Sequence, residues 1–131
     1  MKLPIRLSKD SREPIYHQIE KQLKALIAGG HLEAQTPLPS IRVLSKDLEV
    51  SVITTRRAYQ NLEQQGFIQT LQGKGTFVAE ISSSDKQKVK VQEVHDTIRQ
   101  AVEAARRYDY SLAEIEQIFQ KVISEVKKEE K

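Results

Sequence analysis

Apolar residues near the start of the chain recur at helical spacing. After Pro14, which suits the first turn of a helix, Ile15, Ile19, Leu23, Leu26 and Ile27 step by three or four residues, and Gly29-Gly30 ends the run. "HLEAQTPLP" then carries two prolines and no helical period, and reads as a connection. Ser40 can cap a second helix, "IRVLSKDLE", in which Ile41, Leu44 and Leu48 share a face. Ser51 can cap a third, running from Val52 to Gln65 and stopped by Gly66. Thr55, Ala58, Tyr59 and Leu62 cluster on one side of that helix and form its inward face. The runs "FIQTL" and "GTFVAEI" are rich in β-branched and aromatic residues and are joined by "QGK". Gly73 at the first central position of a two-residue turn suits a type II′ hairpin. Three helices, the last two nearly touching in sequence, followed by a hairpin, are the layout of a winged helix.

"ISSSDKQK", Ile81 to Lys88, interrupts the patterning and reads as a linker. Beyond it Val91, Val94, Ile98, Ala101, Ala105 and Tyr108 step by alternating threes and fours, an a/d seam. Tyr108-Asp109-Tyr110 breaks the pattern, and Ser111 with Glu114 makes a capping box that opens a last helix. There Leu112, Ile115, Phe119, Val122 and Val126 repeat the seam, while Ile118 and Ile123 lie off it. The expected fold class is mainly α. A winged helix–turn–helix (three helices and a β-hairpin wing) over 12–80 is followed by a linker over 81–88 and a two-helix dimerisation segment over 89–128.

Composition narrows the chemistry. With 131 residues the chain is one ordinary domain, or a small one with a helical appendage. It has no cysteine, so disulfides, thiolate metal sites and cysteine nucleophiles are out. No signal-peptide core or membrane-length apolar run occurs, and the expected setting is cytoplasmic with no membrane partner. The net charge of +3 lies wholly in residues 1–80, where 11 Lys+Arg face 8 Asp+Glu; residues 81–131 hold 10 of each. That asymmetry favours an anionic partner for the first part. His17, His31 and His95 do not gather into a metal site, and no catalytic triad or carboxylate pair stands out, so neither an enzyme, a metal nor a cofactor is expected.

"LQGKGTF" resembles a nucleotide loop at first sight. A phosphate-cradling loop needs a glycine five positions before the Gly-Lys pair, a hydroxyl residue directly after the lysine, and a helix to follow. Ile68, Gly75 and strand-like "TFVAEI" occupy those places, and Val78 stands where a dinucleotide motif needs its third glycine. The loop is then a tight turn, or a turn whose tip, Lys74 between Gly73 and Gly75, also meets the phosphate of a nucleic acid. The third helix bears on this choice. Opposite its apolar face lie Ile53, Arg57 and Gln60, flanked by Thr54 and Arg56, with no acid before Glu63. Arginine reads guanine, glutamine reads adenine, and an apolar group packs on a thymine methyl in the major groove. Ser51 at the helix start can bond to a phosphate. The alternative is an ordinary solvated face, which more often interleaves glutamates.

Residues 38–78 resemble the winged helix–turn–helix of the GntR family of transcription regulators: "LPS" with Arg42, the "L-x-V-S" turn, "T-x-R-R-A-Y-x-x-L-E-x-x-G" and the wing "G-K-G-T-F-V". "PIYHQIEKQLKALIAGG" is similar to the family's first helix, and the short two-helix tail is similar to the YtrA-like subgroup. The resemblance implies a DNA site. It comprises Arg42; Ser51, Ile53, Thr54, Arg56 and Arg57 on the recognition helix; and the wing tip Gln72, Gly73, Lys74 and Gly75, whose backbone would enter the minor groove; Ser40, Val52 and Gln60 beside them complete the expected site. Four positions depart from the family pattern: Gln35 and Glu49 replace glycines, Val43 a capping glutamate, and Val52 a base-reading arginine.

The expected partners are a double-stranded DNA operator and a second copy of the chain, joined through Val91, Val94, Ile98, Ala101, Ala105, Tyr108, Leu112, Ile115, Phe119 and Val122. The alternative for the tail is packing on the winged part. The tail looks too small to enclose a drug-sized pocket, so a small-molecule effector would sit between subunits. The function expected is that of a dimeric repressor on a pseudo-palindromic operator; a non-specific architectural DNA binder and a protein-interaction adaptor are the alternatives.

Overall fold

Each apolar period in the chain is a helix in the structure. In the computed structural model, which describes residues 2–130, α1 (Ile15–Ala28) starts after Pro14 and closes at Gly29, with Gly30 at φ 83°. α2 (Ile41–Leu48) and α3 (Val52–Gln64) follow, and the hydroxyls of Ser40 and Ser51 accept the N–H groups of Val43 and Thr54 at 3.1 and 3.0 Å. Gly66, at φ 87°, ends α3; its N–H reaches Glu63 O, and Phe67 N–H reaches Leu62 O. That pairing satisfies the last carbonyls of the helix.

The sheet has one strand more than the sequence suggests. β1 (Pro37–Leu38), β2 (Ile68–Leu71) and β3 (Gly75–Val78) are antiparallel in the order β1-β3-β2. β1 pairs Pro37 with Phe77 and Leu38 with Thr76. Two residues cannot display a period of two, and Pro37 lacks an N–H, so the segment reads as loop until β3 is beside it. The hairpin turn differs too. Leu71 pairs with Gly75, Lys74 N–H bonds to Leu71 O at 2.9 Å, and Gly73 at φ 78° is the second central residue, not the first. Positive φ at that place is the type II pattern.

Two further differences concern boundaries. The expected linker is helical from Ser83, because the Ser82 hydroxyl accepts the N–H of Asp85 and so opens α4 (Ser83–Arg106). And the core begins before residue 12: Leu3 and Ile5 are buried, and Leu7 packs against the same cluster. This arm is held to α1 by glutamine amides. Gln18 accepts Ser8 N–H at 2.8 Å and donates to Ser8 O and Glu13 O at 2.9 and 2.8 Å; Gln22 exchanges two such bonds with Arg6. Each glutamine thereby stands in for a neighbouring strand.

Contacts divide the described residues into a unit up to Lys90 and another from Val91. The first is cored by Ile19, Leu23, Ile27, Leu44, Leu62 and Val78, all almost wholly buried. Buried Glu20 of α1 accepts Asn61 Nδ2 at 2.8 Å and Gln65 Nε2 at 3.4 Å from the α3 end, satisfying a carboxylate with amides instead of a cation. In the second unit α5 (Leu112–Glu129) opens with the expected capping box, Ser111 and Glu114 bonding reciprocally at 3.1 and 2.9 Å. Those bonds hold the Glu114 carboxyl below its ordinary pKa.

Glu49 and Gln35, two of the departures from the family pattern, both sit at positive φ, 57° and 68°. Glu49 is the left-handed cap of α2, a conformation that costs a side chain about 1 kcal/mol or more and glycine almost nothing. Glu49→Gly should therefore raise stability by about 1 kcal/mol, seen as a melting point higher by about 4–8 °C; an unchanged or lower melting point would contradict the strain.

Candidate nucleic-acid interface

The site is built around the two faces of α3. Thr55, Ala58, Tyr59 and Leu62 are buried, as their spacing predicts. Where α2 crosses α3, the hydroxyls of Ser45 and Thr55 meet at 2.8 Å with no solvent between them, which fixes the two helices at one register. Tyr59 turns the other way and donates its O–H to Pro39 O at 2.7 Å. Burial pushes the Tyr59 pKa up, so the phenol stays neutral and remains a donor. That bond, the β1 pairing and the Ser40 cap together hold the segment before α2 and hence the root of Arg42.

The outward face is what these contacts leave over. Ile53 is 76 % exposed, and Val52, Arg56, Arg57 and Gln60 are exposed beside it. Arg42 is exposed on α2, and Lys74 at the hairpin tip. Among the described residues, the side chains of Arg42, Arg56 and Lys74 have no hydrogen bond or ion pair within the protein. A face of unpaired cations around an exposed isoleucine is poorly suited to solvent alone, where such arginines usually meet neighbouring acids.

Glu63 bears on this directly. It is the first acid on α3, and its Oε2 accepts Thr70 N–H at 2.9 Å, bolting β2 to the helix. The carboxylate thus sets the angle of the wing and is taken out of the outward face. At the wing tip Gly73 and Gly75 have φ of 78° and 114°, and beyond the adjoining residues of the chain no described atom lies within 4 Å of where a Cβ would stand on either. The glycines serve the backbone, and the space above them is open to a partner.

Of the residues named from sequence, Ser40, Arg42, Ser51, Val52, Ile53, Arg56, Arg57, Gln60, Gln72, Gly73, Lys74 and Gly75 are exposed on the first unit and Thr54 is half-buried. Ser51 is engaged within the helix start. Its hydroxyl accepts Thr54 N–H and donates to Thr54 Oγ1 at 2.9 Å, so the free hydroxyl hydrogen at this helix start belongs to Thr54. Arg57 is not free either: its guanidinium lies 3.9 Å from the centre of the Tyr16 ring on α1. Sequence reasoning missed Tyr16, which sits inside the first helix with no local pattern to mark it.

The seam residues of the tail divide differently. Val91, Val94, Ile98, Ala101, Tyr108, Leu112 and Val122 are exposed, while Ala105 and Phe119 are half-buried. Ile115 stands apart: at 4 % exposure it is already covered within the single chain. An a/d phase does not distinguish packing within a chain from packing between chains.

A buried trihelical core, a sheet-anchored hairpin and an outward cationic helix face define a winged helix–turn–helix DNA-binding transcription regulator. Residues 15–78 match the family described as bacterial regulatory proteins, gntR family. The repressor NagR of Bacillus subtilis is 42 % identical over 56 % of this chain, which spans only 30 % of NagR. The repressor YtrA of the same species is 28 % identical over 94 % of this chain and 95 % of its own. Among solved structures, YtrA from Sulfolobus acidocaldarius, a GntR-family transcription factor, is 34 % identical with a TM-score of 0.55 over 70 % of this chain and 97 % of that one. The chain belongs to the GntR family, and it is a regulator, not an enzyme.

Tyr59→Phe tests the anchoring of the segment before α2. Removing the donor leaves a part-buried carbonyl without its partner and should lower stability by about 1–3 kcal/mol in denaturant titration; a loss near zero would mean water replaces the phenol there.

Proposed function

We propose that the protein is a dimeric repressor that reads a pseudo-palindromic operator. The observation that carries this is the outward face of α3: exposed Ile53 with Arg56 and Gln60 beside it, framed by Arg42 and the glycine-flanked tip at Lys74. An α-helix with its side chains is about 10–12 Å across, which fits a major groove about 12 Å wide. In this reading α3 enters that groove, the 72–75 tip reaches the minor groove, and Arg42 anchors the approach. A regulator meeting operator DNA works in the cytoplasm, and no helix among the described residues is long and apolar enough to cross a membrane.

The partner subunit is a second copy, engaged through the tail. α4 is 24 residues long and buries none of them, yet carries Val91, Val94 and Ile98 on one stripe. α5 adds Leu112, Val122 and Val126, all exposed. A helix of that length with an open apolar stripe gains stability from a partner. Two-fold symmetry then sets half-sites about 34 Å apart, one helical turn, or a multiple. No small-molecule site is assigned: the cleft of about 470 Å³ along His95, Arg99, Glu103 and Arg106 of α4 is an open surface feature.

Selection of bound duplexes from a random pool should enrich a two-fold site. Arg56→Ala should relax preference at one position per half-site, costing about 1–3 kcal/mol on the preferred sequence; Lys74→Ala should weaken all duplexes alike and flatten the salt slope by about one. Equal affinity for scrambled duplexes would favour an architectural binder, and no affinity for any duplex an adaptor. In sedimentation the wild-type chain should run as a dimer and Ile98→Glu as a folded monomer with much weaker operator binding. A wild-type chain that stays monomeric at micromolar concentration would refute the tail's role.

A further inference from the structure

Arg56 and Arg57 are adjacent on α3, but their surroundings differ. Arg56 extends from the outward face with no partner among the described residues, whereas Arg57 has its guanidinium over the Tyr16 ring at 3.9 Å. The ring comes from the first turn of α1, 41 residues earlier in the chain, and draws the Arg57 side chain towards α1. One turn further on, Asn61 is itself bonded to Glu20 of α1, so the Asn61 edge of α3 lies along α1, and Tyr16 draws the Arg57 side chain from the stripe it shares with Ile53 and Gln60 towards that edge. A helix that fills a major groove turns its centre line to base edges and its flanks to the groove walls, which are phosphates.

Stacking leaves the guanidinium well suited to a wall. At 3.9 Å the ring lies against the guanidinium, and the N–H donors not turned to it are available to two phosphate oxygens. No carboxylate pairs with Arg57 among the described residues, so its charge is uncompensated. Fixing the plane beforehand also removes rotamer freedom that a loose arginine would lose on binding.

We propose that Tyr16 is a positioning residue for DNA binding: its ring holds Arg57 as a phosphate anchor, leaving base discrimination to Arg56 and its neighbours. This rests on the DNA-binding reading above. Tyr16 is half-buried and next to the core, so its substitution can also disturb packing, and the variants must separate the two effects.

The test measures binding of the full-length protein to a mixed-sequence duplex across a salt series, for the wild type, Tyr16→Phe, Tyr16→Leu, Arg57→Gln and the Tyr16→Leu/Arg57→Gln double variant, each first checked for an intact melting transition. Arg57→Gln and Tyr16→Leu should each weaken binding about three- to tenfold, and Arg57→Gln should lower the salt slope by about 0.9 per subunit, the loss of one phosphate contact. The double variant should be no weaker than Arg57→Gln alone, and Tyr16→Phe, which keeps the ring, should bind like the wild type. Selection with Arg57→Gln should return the wild-type base preferences. Additive losses in the double variant, an unchanged slope in Arg57→Gln, a Tyr16→Phe defect as large as that of Tyr16→Leu, or altered base preference in Arg57→Gln would each overturn the proposal while leaving DNA binding intact. A wild-type protein that binds no duplex at all would overturn the DNA-binding reading itself.

Discussion

Everything in the first unit depends on α3 being gripped from several sides by different residues. α1 holds it through Glu20 to Asn61 and Gln65, α2 through Ser45 to Thr55, the segment before α2 through Tyr59 to Pro39, and the sheet through Glu63 to Thr70. Between these polar ties sit Ala58 and Leu62, fully buried. The apolar contacts supply the driving force, being non-directional and proportional to area. The hydrogen bonds supply the register, since each buried polar atom must find its one partner or forfeit its hydration. A helix fixed in this way has only its outward face left to vary, and that face can change its message without disturbing the core.

That division explains what was legible from sequence. Helical period, serine caps and stop glycines are local signals, and α1, α2, α3 and α5 begin or end where Pro14, Ser40, Ser51, Gly66 and Ser111 put them. What escaped is everything that needs a second segment to have meaning. β1 is two residues long and is a strand only because β3 lies beside it. The arm that buries Leu3 and Ile5 does show alternation at Leu3, Ile5 and Leu7, but its hydrogen bonds run to glutamine side chains, which no propensity anticipates. Tyr16 and Arg57 lie too far apart in sequence for either to announce the other. The outward face of α3 was readable as a pattern of residue types, but which arginine is free and which is held is a tertiary fact.

The departures at Gln35 and Glu49 carry a related lesson. Both positions keep the left-handed backbone that glycine would adopt without strain. The surroundings over-determine the conformation: Gln35 N–H is bonded to Val78 O at 2.7 Å, and the N–H groups of Glu49 and Val50 close the end of α2. The fold therefore tolerates the side chains at a cost in stability, and the backbone path between α2 and α3 survives the loss of its glycine.

The tail poses the reverse problem. The first unit closes its own core, whereas α4 is a long helix none of whose residues is buried. Isolated helices are marginal in water even when their residues favour the form, so persistence of α4 calls for burial of its stripe. Within the second unit α5 offers Ile115 and Phe119 at the middle of its apolar arc, and these are the residues covered in the single chain. The flanks of the same arc, Ile118 and Ile123, stay open, as does Val122 two turns beyond Ile115 on the seam itself. An arc wider than one helix can cover suits a helix with two neighbours, one from its own chain and one from a copy. On that reading the exposed seam of α4 and the flanks of α5 are two halves of one surface. In the proposed dimer, a second copy would complete for the tail what α3 already achieves for the first unit: an apolar face closed on one side, leaving the polar face to solvent.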